Sequence, residues 1–71
     1  MKKLLKTYGL NSDMQYFELI VESIVNGQRT QAKDQFKAMP VGSRKSFVKS
    51  IMGYWSTPLT LDDKNMFINL I

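Results

Sequence analysis

Three features of the chain predict an all-α fold, a compact four-helix domain built from two αα-hairpins. Apolar residues recur at helical spacing in each long segment, and no segment sustains the period-two alternation of a strand. Helix punctuation falls between the periodic stretches, at Asn26-Gly27, Met39-Pro40 and Gly42-Ser43. At 71 residues the chain is a single helical domain, residues 1–71, in which 1–10 read as a basic arm.

Taken in order, Met1–Leu10 forms a short basic helix with Leu4, Leu5 and Tyr8 on one side and Gly9 at its end, or a frayed arm. Ser12 then caps the next helix, and Gln15 completes an S-x-x-Q capping box. Phe17, Ile20, Val21, Ile24 and Val25 form its core stripe. Tyr16 and Leu19 fall roughly opposite, so the helix is either covered on two sides or presents an apolar patch. Asn26-Gly27 ends it, because glycine takes the left-handed cap without a Cβ penalty.

The following helix is expected over Gln28–Met39, with Ala32, Phe36 and Met39 facing inward and Pro40 stopping it. Gly42-Ser43 reads as the cap of a helix from Arg44 to Trp55, with Phe47, Val48, Ile51, Tyr54 and Trp55 on its apolar side. Ser56-Thr57-Pro58 is a loop. Thr60 caps the last helix, with Asp62 and Asp63 in its first turn and Thr60-x-x-Asp63 as a looser capping box. Met66, Phe67 and Leu70 share one face of that helix. A shift of 31 residues pairs Tyr16 with Phe47, Ile20 with Ile51, Val21 with Met52, Phe36 with Phe67 and Met39 with Leu70, an echo between the two hairpins.

A chain of this size buries only about 60% of its unfolded surface and needs dense packing, a staple or a partner. Cysteine and histidine are both absent, which removes disulfides, thiolate metal sites, the commonest zinc ligand and the commonest general base. The composition, 44% hydrophobic with four Phe, three Tyr and one Trp, supports packing. The opening MKKLLKTYGL has the charge of a signal peptide, but its apolar run is only Leu4-Leu5. No stretch reaches the roughly 20 apolar residues of a membrane span, so the expected location is the cytoplasm.

Charge is the informative asymmetry. The stretch Asn26–Tyr54 holds six of the ten basic residues, Arg29, Lys33, Lys37, Arg44, Lys45 and Lys49, against one acid, Asp34, a formal +5. The remaining four lysines and five acids give −1, so the whole-chain +4 resides in the middle. Arg29, Lys33 and Lys37 are spaced i, i+4, i+8 and make a ridge; Lys45 and Lys49 are an i, i+4 pair opposite the apolar side of their helix.

The pattern Tyr16-x-x-Leu19-Ile20, Asn26-Gly27, Ala32, Phe36, Met39-Pro40 resembles one unit of a pentatricopeptide-type helical repeat, and Met52-Gly53-Tyr54 resembles the start of the next unit's first helix. That resemblance implies tandem helical hairpins that bind single-stranded RNA one base per unit. It covers about 40 residues at core and cap positions, and no base-reading residue is carried over. The run Ala32-Lys33-x-Gln35-Phe36-Lys37-Ala38-Met39-Pro40, followed by a basic helix, also resembles small orphan helical proteins of tailed phages, a class that implies no fixed activity.

No constellation here supports catalysis. Glu18 and Glu22 share a helix face but read as solvated, Asp62-Asp63 read as compensation of the helix dipole, and there is no phosphate loop or nucleophile motif. The expectation is a non-enzymatic binding protein without cofactor or metal. Two partner classes remain. A basic helical surface of Arg29, Lys33, Lys37, Arg44, Lys45 and Lys49 suits non-specific contact with a nucleic-acid backbone, with Tyr8, Tyr54 and Trp55 as stacking or core residues. Alternatively, Tyr16, Leu19 and Phe67, with five methionines as adaptable contacts, suit a protein partner or self-association. A membrane surface met by Lys2, Lys3, Leu4, Leu5 and Lys6 has too short a turn for much affinity.

Overall fold

Left-handed glycines end the first two helices of this chain. The structure is a computed structural model that describes residues 1–53 and 58–71. In it α1 spans Lys2–Thr7 and α2 spans Asp13–Val25. Gly9 has φ +68° and Gly27 has φ +79°. Each sits in a Schellman arrangement. Leu10 N–H donates to Leu5 C=O (2.8 Å) and Gly9 N–H to Lys6 C=O (3.2 Å); Gln28 N–H donates to Ser23 C=O (2.8 Å) and Gly27 N–H to Ile24 C=O (3.0 Å). Two last-turn carbonyls are thereby satisfied at each of these helix ends.

The remaining elements are α3, Arg29–Lys37, α4, Val41–Met52, and α5, Leu61–Leu70. Among the described residues the four longer helices match the expected all-α domain, and α1 adds a short fifth. Tyr54 and Trp55, the end of the helix expected over Arg44–Trp55, lie outside the described residues. α3 lies along α2, α5 packs against α4, and α5 also touches α3. The two expected hairpins are therefore the principal packing units, and α5 joins them.

The caps explain where helices begin. Ser12 Oγ accepts from Gln15 N–H at 3.3 Å, but the Gln15 side chain takes Asn11 N–H, one residue before the N-cap. At α5 the shorter Asp63 side chain closes the reciprocal box: Thr60 Oγ1 accepts from Asp63 N–H at 3.2 Å, and Asp63 Oδ2 accepts from Thr60 N–H at 3.1 Å. The start of α4 differs from expectation. Pro40, not Gly42-Ser43, is the N-cap, with ψ 155°, and its carbonyl accepts from Arg44 N–H at 3.0 Å. Proline's fixed φ suits a residue that leads into a helix, so Val41, Gly42 and Ser43 join the first turn.

The core is a contact chain of phenylalanines, one from each long helix. Phe36 and Phe67 have ring centroids 5.1 Å apart, Phe47 and Phe67 5.0 Å, Phe36 and Phe47 5.7 Å, and Phe17 and Phe47 5.4 Å. Three of these pairs are edge-to-face, the arrangement that the ring quadrupoles favour. Tyr16, Ile20, Val21, Ile24, Ala32, Met39, Ile51 and Leu59 complete the buried apolar set among the described residues. Of the pairs related by 31 residues, Tyr16/Phe47, Ile20/Ile51 and Phe36/Phe67 are equally buried, whereas Val21 is buried and Met52 is exposed.

Candidate functional site

The α2–α3 boundary carries the main polar structure of the interior. The Tyr16 hydroxyl donates to Gln35 C=O at 2.7 Å. That carbonyl is available because Met39 N–H turns to Phe36 C=O (3.1 Å) as α3 ends. The Ser23 hydroxyl lies 2.9 Å from Gln35 Oε1 and 3.1 Å from Leu19 C=O, and its proton is shared between those acceptors. Among the described residues no buried side-chain donor or acceptor is left without a partner. Burial, reinforced by nearby Tyr8, pushes the Tyr16 phenol from 10.0 up to about 12.

This seam corrects the expected partner surface. Tyr16 and Phe67 are completely inaccessible and belong to the core, so neither is presented to a partner; Leu19 is only partly buried and packs against the same core. The reason is geometric. The buried residues of α2, Tyr16, Phe17, Ile20, Val21, Ser23 and Ile24, sweep about 160° at 100° per residue, so the helix is covered on two sides. Tyr8, the C-cap of α1, closes one of them, its ring 5.5 Å from that of Tyr16 and edge-on.

The six basic residues separate into two groups. Arg29 Nη1 pairs with Asp63 Oδ1 at 3.2 Å, and its Nη2 lies 3.5 Å from Met66 Sδ, so it ties α3 to α5. Arg44 Nε donates to Met39 C=O at 3.0 Å and closes the α3–α4 turn. These two arginines hold the fold. Lys33, Lys37, Lys45 and Lys49 are exposed, and none forms an ion pair among the described residues. Lys33 and Lys37 follow Arg29 around α3, while Lys45 and Lys49 lie on the side of α4 away from Phe47 and Ile51.

Other features were not visible in the linear pattern. A depression of about 380 Å³ lies between α1 and the α3–α4 turn, lined by Met1, Lys3, Leu4, Thr7, Ala38 and Pro40. No local signal brings Lys3 beside Ala38, or Arg29 beside Asp63. Ser23 did carry a signal, as a polar residue between Ile20 and Ile24 on a buried stripe.

Among the described residues no cluster of carboxylates is arranged to hold a metal, and no helix is long and apolar enough to cross a membrane. No protein-family model matches the chain, and no curated protein or solved structure matches it either.

Proposed function

We propose that this is a small non-enzymatic binding protein of the cell interior that contacts nucleic-acid backbone through Lys33, Lys37, Lys45 and Lys49. The observation that carries the proposal is the contrast within the basic set. Two arginines are committed to Asp63 and to Met39 C=O, whereas four lysines stand exposed without a carboxylate partner among the described residues. Flexible ammonium groups on a helical surface suit phosphates as point charges, and the absence of a rigid guanidinium reader suits contact without base preference. Fluorescence anisotropy with labelled single- and double-stranded DNA and RNA, at about 50 and 200 mM salt, tests it. Binding that falls steeply with salt supports the reading; no binding at the lower salt refutes it.

A second reading, a protein-interaction module, is favoured by Leu61 and Ile68. They lie seven residues apart on one side of α5 and are 71% and 41% exposed. Under that reading binding depends on these apolar residues and is insensitive to salt.

A further inference from the structure

We propose that the depression between α1 and the α3–α4 turn is a docking site for an acidic peptide segment bearing one apolar anchor side chain. Its lining is apolar on both walls: Met1 and Leu4 come from the N-terminal side, Ala38 and Pro40 from the turn. Its volume, about 380 Å³, falls within the lower part of the range of ligand-holding clefts.

The polar groups on the lining narrow the occupant. The Thr7 hydroxyl donates its proton to Lys3 C=O, at 2.9 Å, and keeps only its acceptor capacity. Among the described residues Lys3 is the lining side chain with free donors, and it is exposed. A nucleobase carries donors and acceptors around its edge that would need several partners here. An aliphatic or aromatic side chain needs none, and gains by leaving water.

Charge selects what flanks the anchor. Within three residues in sequence of the lining positions stand Lys2, Lys3, Lys6 and Lys37 and no Asp or Glu, and the nearest acid in sequence is Asp34, one helical turn before Ala38. A partner segment with carboxylates on either side of its apolar residue is complementary to that field; a basic or neutral segment is not. An apolar centre with a charged rim is the usual arrangement of a protein-binding hot spot. Of the lysines proposed for phosphate contact only Lys37 flanks this site, whose lining cation is Lys3, so the site stands whether or not those lysines meet phosphate.

The test uses the full chain, ¹⁵N-labelled, titrated with three probes: the acetylated and amidated peptide Asp-Asp-Phe-Asp-Asp, the same peptide with Ser in place of Phe, and a short oligothymidylate. The expected result is amide shifts centred on Lys3, Leu4, Thr7 and Ala38, with the Phe peptide bound at least about tenfold more tightly than the Ser peptide, the effect of burying one aromatic side chain. Ala38→Leu, which fills the depression from an exposed position, abolishes the preference for Phe. Lys3→Gln weakens both peptides, and its helical circular dichroism is unchanged. Equal affinity for the two peptides, no shifts, shifts centred elsewhere, or a Phe preference surviving Ala38→Leu overturns the proposal. Tighter binding of the oligothymidylate at these same amides overturns it in favour of a nucleotide occupant.

Discussion

Arg29 on α3 reaches Asp63 on α5 at 3.2 Å, and the other carboxylate oxygen of Asp63 receives the N-cap amide of Thr60. One nearly buried side chain thus starts a helix and ties that helix to the other hairpin. Asp63→Ala removes both interactions and is expected to lower stability by about 1–2 kcal/mol. Arg29→Ala removes a side chain that is itself half exposed and costs less, about 0.5 kcal/mol after solvent screening. Urea unfolding of the two single variants and the double variant checks this, and the cycle should show positive coupling.

Tyr16→Phe leaves the Gln35 carbonyl without its donor in the interior and should cost about 1–3 kcal/mol. The variant also isolates a pH dependence. The folded Tyr16 phenol is pushed up to about 12, against 10.0 ordinarily, so the folded chain keeps a proton that the unfolded chain releases. This contribution is fully present below pH 10 and is lost as pH rises through 12. Denaturation midpoints measured across that interval should fall more steeply for the native protein than for Tyr16→Phe.

The phenylalanine chain has no spare member. Phe36→Ala removes a ring that touches two others and Phe47→Ala one that touches three, and such substitutions cost about 3–5 kcal/mol. In a domain this small that is comparable with the whole stability. Thermal scans followed by circular dichroism should show no cooperative transition for either variant, whereas Phe67→Leu retains one at a lower midpoint.

Gly27 and Gly42 should respond to alanine with opposite sign. At Gly27, φ is +79°, and an added Cβ meets no atom but strains the backbone, so Gly27→Ala destabilises by about 1 kcal/mol. Gly42 lies in the first turn of α4 with open space around it, so Gly42→Ala stabilises by about 0.5 kcal/mol through helix propensity. Paired melting curves decide both.

If Lys33, Lys37, Lys45 and Lys49 each neutralise one phosphate, log K against log salt has a slope of about −3.6 on duplex DNA and −2.8 on a single strand. Affinity then falls roughly 50- to 150-fold between about 50 and 200 mM salt. Each Lys→Gln substitution should flatten the slope by about 0.7–0.9 without changing the melting temperature. A slope unaffected by all four substitutions removes these lysines from the interface.

Local chemistry was legible wherever one helix settles a question by itself. The Ser12 and Thr60 caps, the Gly27 terminus and the inward residues Phe17, Ile20, Phe36 and Phe47 follow from spacing and residue type, whereas Phe67, expected at a partner surface, is buried. The start of α4 was misplaced because Gly42-Ser43 resembles a cap in isolation, whereas Pro40 already has the extended geometry a cap requires. Arg29 and Lys33 look alike on a helical wheel; one meets a carboxylate and the other meets solvent.

The order of residues was therefore enough to establish an all-α chain, its hairpin units and a middle segment carrying the net charge, because hydrophobic period, caps and charge density are properties of near neighbours. Which cations remain free, which aromatic residues face inward from both sides, and that Lys3 shares a depression with Ala38 and Pro40 came from packing alone. Those outcomes depend on how helices distant in sequence meet. A side chain's exposure and partners are set by what lies across the interface, which no helix encodes in its own repeat.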